Sequence, residues 1–229
     1  MWNQTHSSIL SSNYIRDCFL RSDINTLYVN LIRNVAVTTE DITHELQELK
    51  FINSPKYCTS DQYDACDFLL SLLLELENDL QDLDFSYTIN VERFLECSSS
   101  THKTVSQTTP EKMIRLPIDD NCNIQVLINK YCQPERADEH QCSVCDKYML
   151  RKKIQQLPNV LFIQLLRFNQ FRKIYAKVMP SISIVFNSVS YRLKAIVEHS
   201  GNMHSGHYTT LLNLGRTYVK CDDKNIFEN

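Results

Sequence analysis

The residues best suited to acid–base chemistry lie near the end of the chain. His207 opens a run of alternating apolar residues, and Asp222 follows the next strand-like run, fifteen residues later. A histidine at the start of one strand and an aspartate at the end of the next can lie side by side in a hairpin. That is the geometry of a general base and the carboxylate that orients it. A surface histidine beside a solvated turn fits the same spacing. The stretch also holds all three glycines of the chain, Gly201, Gly206 and Gly215.

A second group of residues has the chemistry of a metal site. Cys142 and Cys145 form a CxxC pair, whose two thiolates can hold one edge of a zinc tetrahedron from a single turn. Cys97 ends a predicted strand, Ser100 stands where a second cysteine would complete another such pair, and His102 lies two residues further on. Cys97, His102, Cys142 and Cys145 are therefore the candidate zinc ligands. The alternative is a metal-free turn in which the Ser100 hydroxyl has replaced a ligand.

A third candidate region is the start of a predicted helix. Gln62 and Asp64 stand at its beginning, with Asp61 and Asp67 close by. Acidic side chains at a helix start are stabilised by the positive end of the helix dipole, and this effect is sufficient to explain their presence. The functional alternative is that Gln62 and Asp64 face a cleft and bind a basic peptide.

The composition restricts the classes of protein to which this chain can belong. The chain has 229 residues, 43% of them hydrophobic and 22% charged, with a net charge of -3, as in an ordinary globular protein of one large or two small domains. No basic block stands out, so nucleic acid is not an expected partner. No apolar run approaches the roughly 20 residues of a membrane span. The start lacks a secretory leader, and the nine cysteines are then expected to be thiols of an intracellular protein, cytoplasmic or nuclear.

Hydrophobic periodicity indicates helices first and strands afterwards, an α+β pattern with a mostly antiparallel sheet. The third of three helices predicted in the first 80 residues runs from about Gln62 to Leu80, with Ser60 or Asp61 as its cap. Residues 98–110 are polar and are predicted to be a loop. Val160–Phe168 is predicted to be a central strand, buried on both faces. The remaining predicted elements are a helix, Ile124–Tyr131, and the strands Phe85–Cys97, Met113–Ile118, Met149–Gln156, Ile182–Phe186, Tyr191–His199, His207–Leu212 and Thr217–Cys221.

In order and spacing, these segments resemble the ubiquitin-specific proteases, a family of papain-like cysteine deubiquitinases. The resemblance covers almost the whole chain. It rests on QYDACDFL for the family's QQDAHEFL, Cys97 to Ser100 and then CSVC for its paired CxxC ribbon, LPNVLFIQLLRF for LPxVLxIHLKRF, YRLKAIVEHSG with SGHY for YxLxAVIxHxG…SGHY, and the segment from Tyr218 to Asp223 for WYxFDD.

The resemblance implies one catalytic domain with a papain-like fold. Residues 1–82 would form a helical thumb, 83–160 the fingers with one structural zinc ion and no other cofactor, and 161–229 the palm. The domain would act as a monomer on ubiquitin or ubiquitinated proteins, hydrolysing peptide and isopeptide bonds at the C-terminus of ubiquitin. His207, rather than His199 or His204, would be the general base and Asp222 its orienting residue. Gln62, Asp64 and Tyr208 would lie along the ubiquitin tail.

The chain departs from the family pattern at both ends. In the family's cysteine motif, Met1 falls on the position of the nucleophile, and after Asp223 the sequence ends before the usual last palm strand. One interpretation is an active deubiquitinase of which this sequence is a part. The other is a catalytically inactive pseudoprotease that binds ubiquitin, which the changes at Ser100 and Cys66 favour. As written, the chain is expected to be inactive because an acyl-enzyme needs a thiolate.

Overall fold

The computed structural model describes residues 63–79, 87–97, 107–137, 148–215, 217–222 and 225–228. The chain divides into two compact units, one combining Met1–Phe85 with Lys194–Asn229 and the other comprising Ser86–Leu193. The predicted helices before residue 62 lie outside the described residues. The division into thumb, fingers and palm remains a prediction.

The first unit contains a helix, α1 (Ala65–Asp79), and a four-stranded antiparallel sheet. The strands of this sheet lie in the order β11 (Ala195–Gly201), β12 (Gly206–Asn213), β13 (Tyr218–Asp222) and β14 (Asn225–Glu228). Because β12 pairs with a neighbour on each side, its register is determined twice. The strands predicted at 207–212 and 217–221 are thereby confirmed, the first with one more residue at each end and the second displaced by one residue.

Helix α1 begins three residues later than predicted. Asp64 Oδ1 accepts hydrogen bonds from the backbone nitrogens of Cys66, at 2.8 Å, and Asp67, at 3.1 Å. An aspartate with these bonds is a helix N-cap, since it satisfies amides that have no partner within the helix. The expectation that Ser60 or Asp61 caps the helix was wrong. Phe68 and Leu73, on the predicted core face, are buried.

In its described residues, the second unit contains a four-stranded sheet, a short helix and three small strand pairs. The sheet has the strand order β2 (Gln107–Glu111), β1 (Ile89–Cys97), β6 (Tyr148–Gln156) and β5 (Glu135–Arg136). Strands β3 (Ile114–Pro117) and β7 (Ile163–Leu166) pair in parallel, as do β4 (Cys122–Asn123) and β8 (Val178–Met179), while β9 (Ser183–Phe186) and β10 (Val189–Arg192) form a hairpin. Helix α2 (Ile124–Tyr131) has the predicted bounds.

The core of this unit is a cluster of aliphatic and aromatic side chains from its strands and α2. Its buried members are Ile89, Val91, Ile114, Leu116, Ile118, Leu127, Ile128 and Phe186. Alternate residues of β1 and β3 point into this cluster, since side chains along a strand alternate between its two faces. The burial explains why their period of two was visible in the sequence.

Three predicted strand features are wrong. The run at 160–168 forms only the four-residue strand β7, which is half-buried and, among the strands that the structure describes, pairs only with β3. Part of the polar stretch at 98–110 is the edge strand β2 rather than loop; its Pro110 is compatible with an edge position. The strand expected at 191–199 is divided between β10 and β11, with the break at Leu193 and Lys194, where the two units meet in sequence.

In the part of the chain that the structure describes, no helix has the length and apolar character needed to span a membrane.

Removal of the α2 cap is expected to destabilise the second unit. Asn123 Oδ1 accepts from Gln125 N at 2.8 Å and from Ser181 Oγ at 3.1 Å. Asn123→Ala is therefore expected to lower the free energy of unfolding by about 1 kcal/mol, measured by urea denaturation. The control is Asn129→Ala, which removes only a bond from the Gln125 side chain on the exposed helix surface. Equal losses in the two variants would contradict the role of the cap.

Candidate active site

The structure brings His207 and Asp222 together, as their spacing predicted. His207 Nε2 lies 2.6 Å from Asp222 Oδ1, and the two side chains are 46% and 34% exposed. Strands β12 and β13 pair Thr210 with Cys221, so the register places Asp222 across from position 209. His207 lies two residues before this position, on the same face of the sheet. The contact is therefore a diagonal cross-strand pair, within reach of two polar side chains of this length.

The identity of the bonded nitrogen determines what the histidine can do. A carboxylate only accepts hydrogen bonds, so a neutral His207 donates from Nε2–H to Asp222. Its Nδ1 is then the unprotonated nitrogen, which is the form that takes a proton from a nucleophile. The pair can hold the imidazole in one tautomer and stabilise the imidazolium that forms after proton transfer.

Asp64 and Tyr208, two predicted substrate-binding residues, also lie together. The half-buried Tyr208 hydroxyl lies beside the Asp64 carboxylate and the Ala65 backbone. Burial, followed by the negative charge of Asp64, raises the pKa of Tyr208 to about 12. Asp64 therefore serves both as the cap of α1 and as the partner of a tyrosine on β12. The preference of aspartate for N-cap positions was the signal that could have identified the first role.

Sequence reasoning set aside a further residue of this region, His199. It lies on β11 directly opposite Tyr208, and the two ring centroids are 4.7 Å apart with an interplanar angle of 46°. Its ring also contacts Gly206: a Cβ built on that glycine would lie 2.0 Å from His199 Nε2 and 2.5 Å from the Ser200 carbonyl oxygen. Glycine is thus required at position 206 because of close approach, a need that the sequence alone did not explain.

Only one of the four predicted zinc ligands is described. Cys97 is the last residue of β1, is 3% exposed and pairs with Tyr148, the first residue of β6. His102, Cys142 and Cys145 lie outside the described residues, as do Gln62 and Met1. Within the described ranges, no group of three or more potential ligands is close enough to hold a metal ion. The donor set, three thiols and an imidazole, fits zinc.

A helix and an antiparallel sheet that carries a histidine–aspartate pair are features of the papain-like cysteine proteinase fold, and solved structures of this class match the chain. The family model described as "Ubiquitin carboxyl-terminal hydrolase" matches residues 3–228. The chain therefore belongs to this family, that of the ubiquitin-specific proteases. The resemblance found in the sequence motifs is therefore confirmed.

Two curated proteins are similar to the chain. It is 24% identical to "Ubiquitin carboxyl-terminal hydrolase 7" of Caenorhabditis briggsae over 247 residues, covering 91% of this chain and 22% of that protein. It is 26% identical to "Probable ubiquitin carboxyl-terminal hydrolase FAF" of Drosophila melanogaster over 192 residues, covering 65% of this chain and 7% of that protein. The chain thus spans less than a quarter of the length of these relatives.

Two solved structures share the fold. The SAGA DUB module Ubp8/Sgf11/Sus1/Sgf73 bound to monoubiquitin gives a TM-score of 0.84 at 15% identity. The same module bound to ubiquitin aldehyde gives 0.82 at 14% identity. In both cases the match covers 99% of this chain and 62% of the solved chain. At this level of identity the likeness shows the papain-like α+β fold, which was the predicted fold class.

The raised pKa of Tyr208 makes a prediction about stability at high pH. The pKa is about 12 in the folded chain and 10.0 in the reference state. The contribution of Tyr208 to the free energy of unfolding is therefore complete below pH 10 and is lost as the pH rises toward 12, since the unfolded chain loses the proton first. The difference in unfolding free energy between the wild type and Tyr208→Phe should decline over this interval in urea titrations. A difference that is independent of pH would contradict the assignment.

Proposed function

We propose that the chain is the part of a cysteine peptidase that supplies the base of the reaction, and that the reaction is thiol-dependent hydrolysis of peptide and isopeptide bonds at the C-terminus of ubiquitin. The observation that carries the proposal is the 2.6 Å contact between His207 Nε2 and Asp222 Oδ1. Membership of the ubiquitin carboxyl-terminal hydrolase family indicates the substrate.

In the proposed reaction, His207 Nδ1 takes the proton of a cysteine thiol, and the thiolate attacks the carbonyl carbon of the scissile bond. The protonated His207 then gives this proton to the leaving amine, which leaves ubiquitin bound to sulfur as a thioester. Water, activated by the same nitrogen, hydrolyses the thioester. Asp222 stabilises the imidazolium in both steps. In the family's cysteine motif the nucleophile's position falls on Met1, so the reaction requires a thiol that Met1 does not supply.

The proposed binding site for the ubiquitin tail includes the region around Tyr208. Tyr208 directly follows the proposed base in sequence, and its hydroxyl contacts the Asp64 carboxylate. Asp64 is exposed, so its charge is available to an arginine of a basic peptide segment. Gln62 belongs to the same proposed site by its motif position.

The second candidate function is ubiquitin binding without catalysis. Methionine at the nucleophile's motif position favours it, because a thioether cannot form the acyl intermediate. Cys66, where the family motif has histidine, and Ser100, where it has cysteine, favour it further. The proposed contacts with the ubiquitin tail are the same in this case.

Binding is measured on the 229-residue chain, and turnover on its Met1→Cys variant expressed with an added start methionine, because the chain as written lacks a thiol at this motif position. We expect ubiquitin to bind in isothermal titration calorimetry, and ubiquitin lacking its C-terminal tail to bind at least about tenfold more weakly, because it would lose its contacts with the proposed site around Tyr208. A fluorogenic ubiquitin amide measures turnover. If the chain is a hydrolase, His207→Ala lowers the rate by at least about a hundredfold, the typical contribution of a general base.

The matched control is His204→Ala, which removes an exposed histidine from the same turn and should leave turnover unchanged. Binding without turnover would support the pseudoprotease. Absence of both, in a chain whose circular dichroism shows it to be folded, would refute both candidates. Turnover that survives alkylation of every thiol would refute the proposed thiol chemistry.

We also propose that Cys97, His102, Cys142 and Cys145 hold one structural zinc ion. Support comes from their donor chemistry and from Cys97, which is buried at the end of β1 beside the first residue of β6. Elemental analysis of the purified chain should find one zinc per molecule, and Cys145→Ser should lower this value. Cys132→Ser, at an exposed cysteine outside the set, is the control. Zinc-free protein with native stability would contradict the proposal.

A further inference from the structure

We propose that His199, Tyr208 and Asp64 form a line of contacts that positions the proposed base, His207, and that His199 and Tyr208 are positioning residues for the reaction. The inference builds on the role proposed for His207. The contacts themselves, however, are independent of whether the chain turns over substrate.

The first contact lies between strands β11 and β12. His199 is the cross-strand partner of Tyr208, with ring centroids 4.7 Å apart, a separation at which tilted aromatic rings attract each other. The same imidazole lies against Gly206, where a Cβ would be only 2.0 Å from Nε2. His199 therefore contacts the residue before His207 and the residue after it.

The second contact joins β12 to the start of α1. The half-buried Tyr208 hydroxyl lies beside the Asp64 carboxylate and the Ala65 backbone, close enough for the Asp64 charge to raise the tyrosine pKa. Asp64 is itself held by two backbone amides of the first helical turn, those of Cys66 and Asp67. The carboxylate is thus attached to a rigid element, and Tyr208 transmits this constraint to β12.

The alternation of side chains along β12 connects these contacts to the base. Tyr208 points to the face of the sheet where His199 lies, and so His207 points to the opposite face. Asp222 lies on that opposite face, 2.6 Å from His207 Nε2. Rotation or slippage of β12 that breaks the Tyr208 contacts would also turn His207 away from Asp222. The His199 and Tyr208 contacts therefore oppose the motion that would misalign the base.

The test measures the rate at which the His207 Nε2 proton exchanges with water. The proton is observed in nitrogen-15 spectra of the imidazole at low temperature. Exchange should be roughly threefold to tenfold faster in His199→Ala and in Tyr208→Phe, the range that corresponds to the loss of one aromatic or hydrogen-bond contact. His199→Phe, which restores a ring against Tyr208, should return the rate most of the way to that of the wild type.

Two controls separate positioning from general destabilisation. Tyr191→Phe removes a phenol hydrogen bond to the Pro158 carbonyl in the other unit and should leave the His207 proton unchanged. The backbone amide of buried Thr210 on β12 should exchange at the wild-type rate in Tyr208→Phe if the effect is local. Tyr208→Phe keeps the ring and is therefore the variant that should fold if His199→Ala does not.

Unchanged His207 exchange in Tyr208→Phe would overturn the proposal, and so would equal acceleration of the His207 and Thr210 protons. Neither result depends on ubiquitin binding or turnover. Failure of this proposal is therefore distinguishable from failure of the proposed function.

Discussion

The register of strand β12 between its two neighbours is the constraint on which the candidate site depends. Pairing with β11 sets His199 opposite Tyr208, and pairing with β13 sets Thr210 opposite Cys221. A shift by one residue in either pairing would exchange the two faces of the strand. His207 would then face the side where Tyr208 now lies, and the contact with Asp222 would be lost. Two hydrogen-bonded edges, together with a turn that requires glycine at position 206, hold the strand in its single productive alignment.

The pairing of His207 with Asp222 could be predicted from sequence because it needs only two consecutive strands and a turn, all visible in the pattern. Helix α2 could be predicted because an asparagine cap precedes a clear apolar period. The prediction of a central strand at 160–168 was wrong because a continuous apolar run does not show whether a strand has a partner on one side or on both. The α1 boundary was missed because several acidic residues in succession can each serve as a cap.

The contacts of His199 could not be predicted, for a different reason. They depend on which residues face each other across two strands, and that register follows from the turn geometry and from burial in three dimensions. The polar segment containing β2 likewise becomes a strand because β1 offers an edge to it. The local sequence does not show whether a partner strand is present. Pairing with such a strand in the folded structure can override the low strand propensity of a polar segment.

The close approach between Gly206 and the His199 ring also restricts how this part of the chain can change over time. Any side chain at position 206 would have to displace both that ring, at 2.0 Å, and the Ser200 carbonyl oxygen, at 2.5 Å. A smaller residue at position 199 would remove only the first of these clashes, because the second is with the backbone. Glycine is therefore expected to be retained at position 206 among descendants of this sequence, even where the residue at position 199 changes.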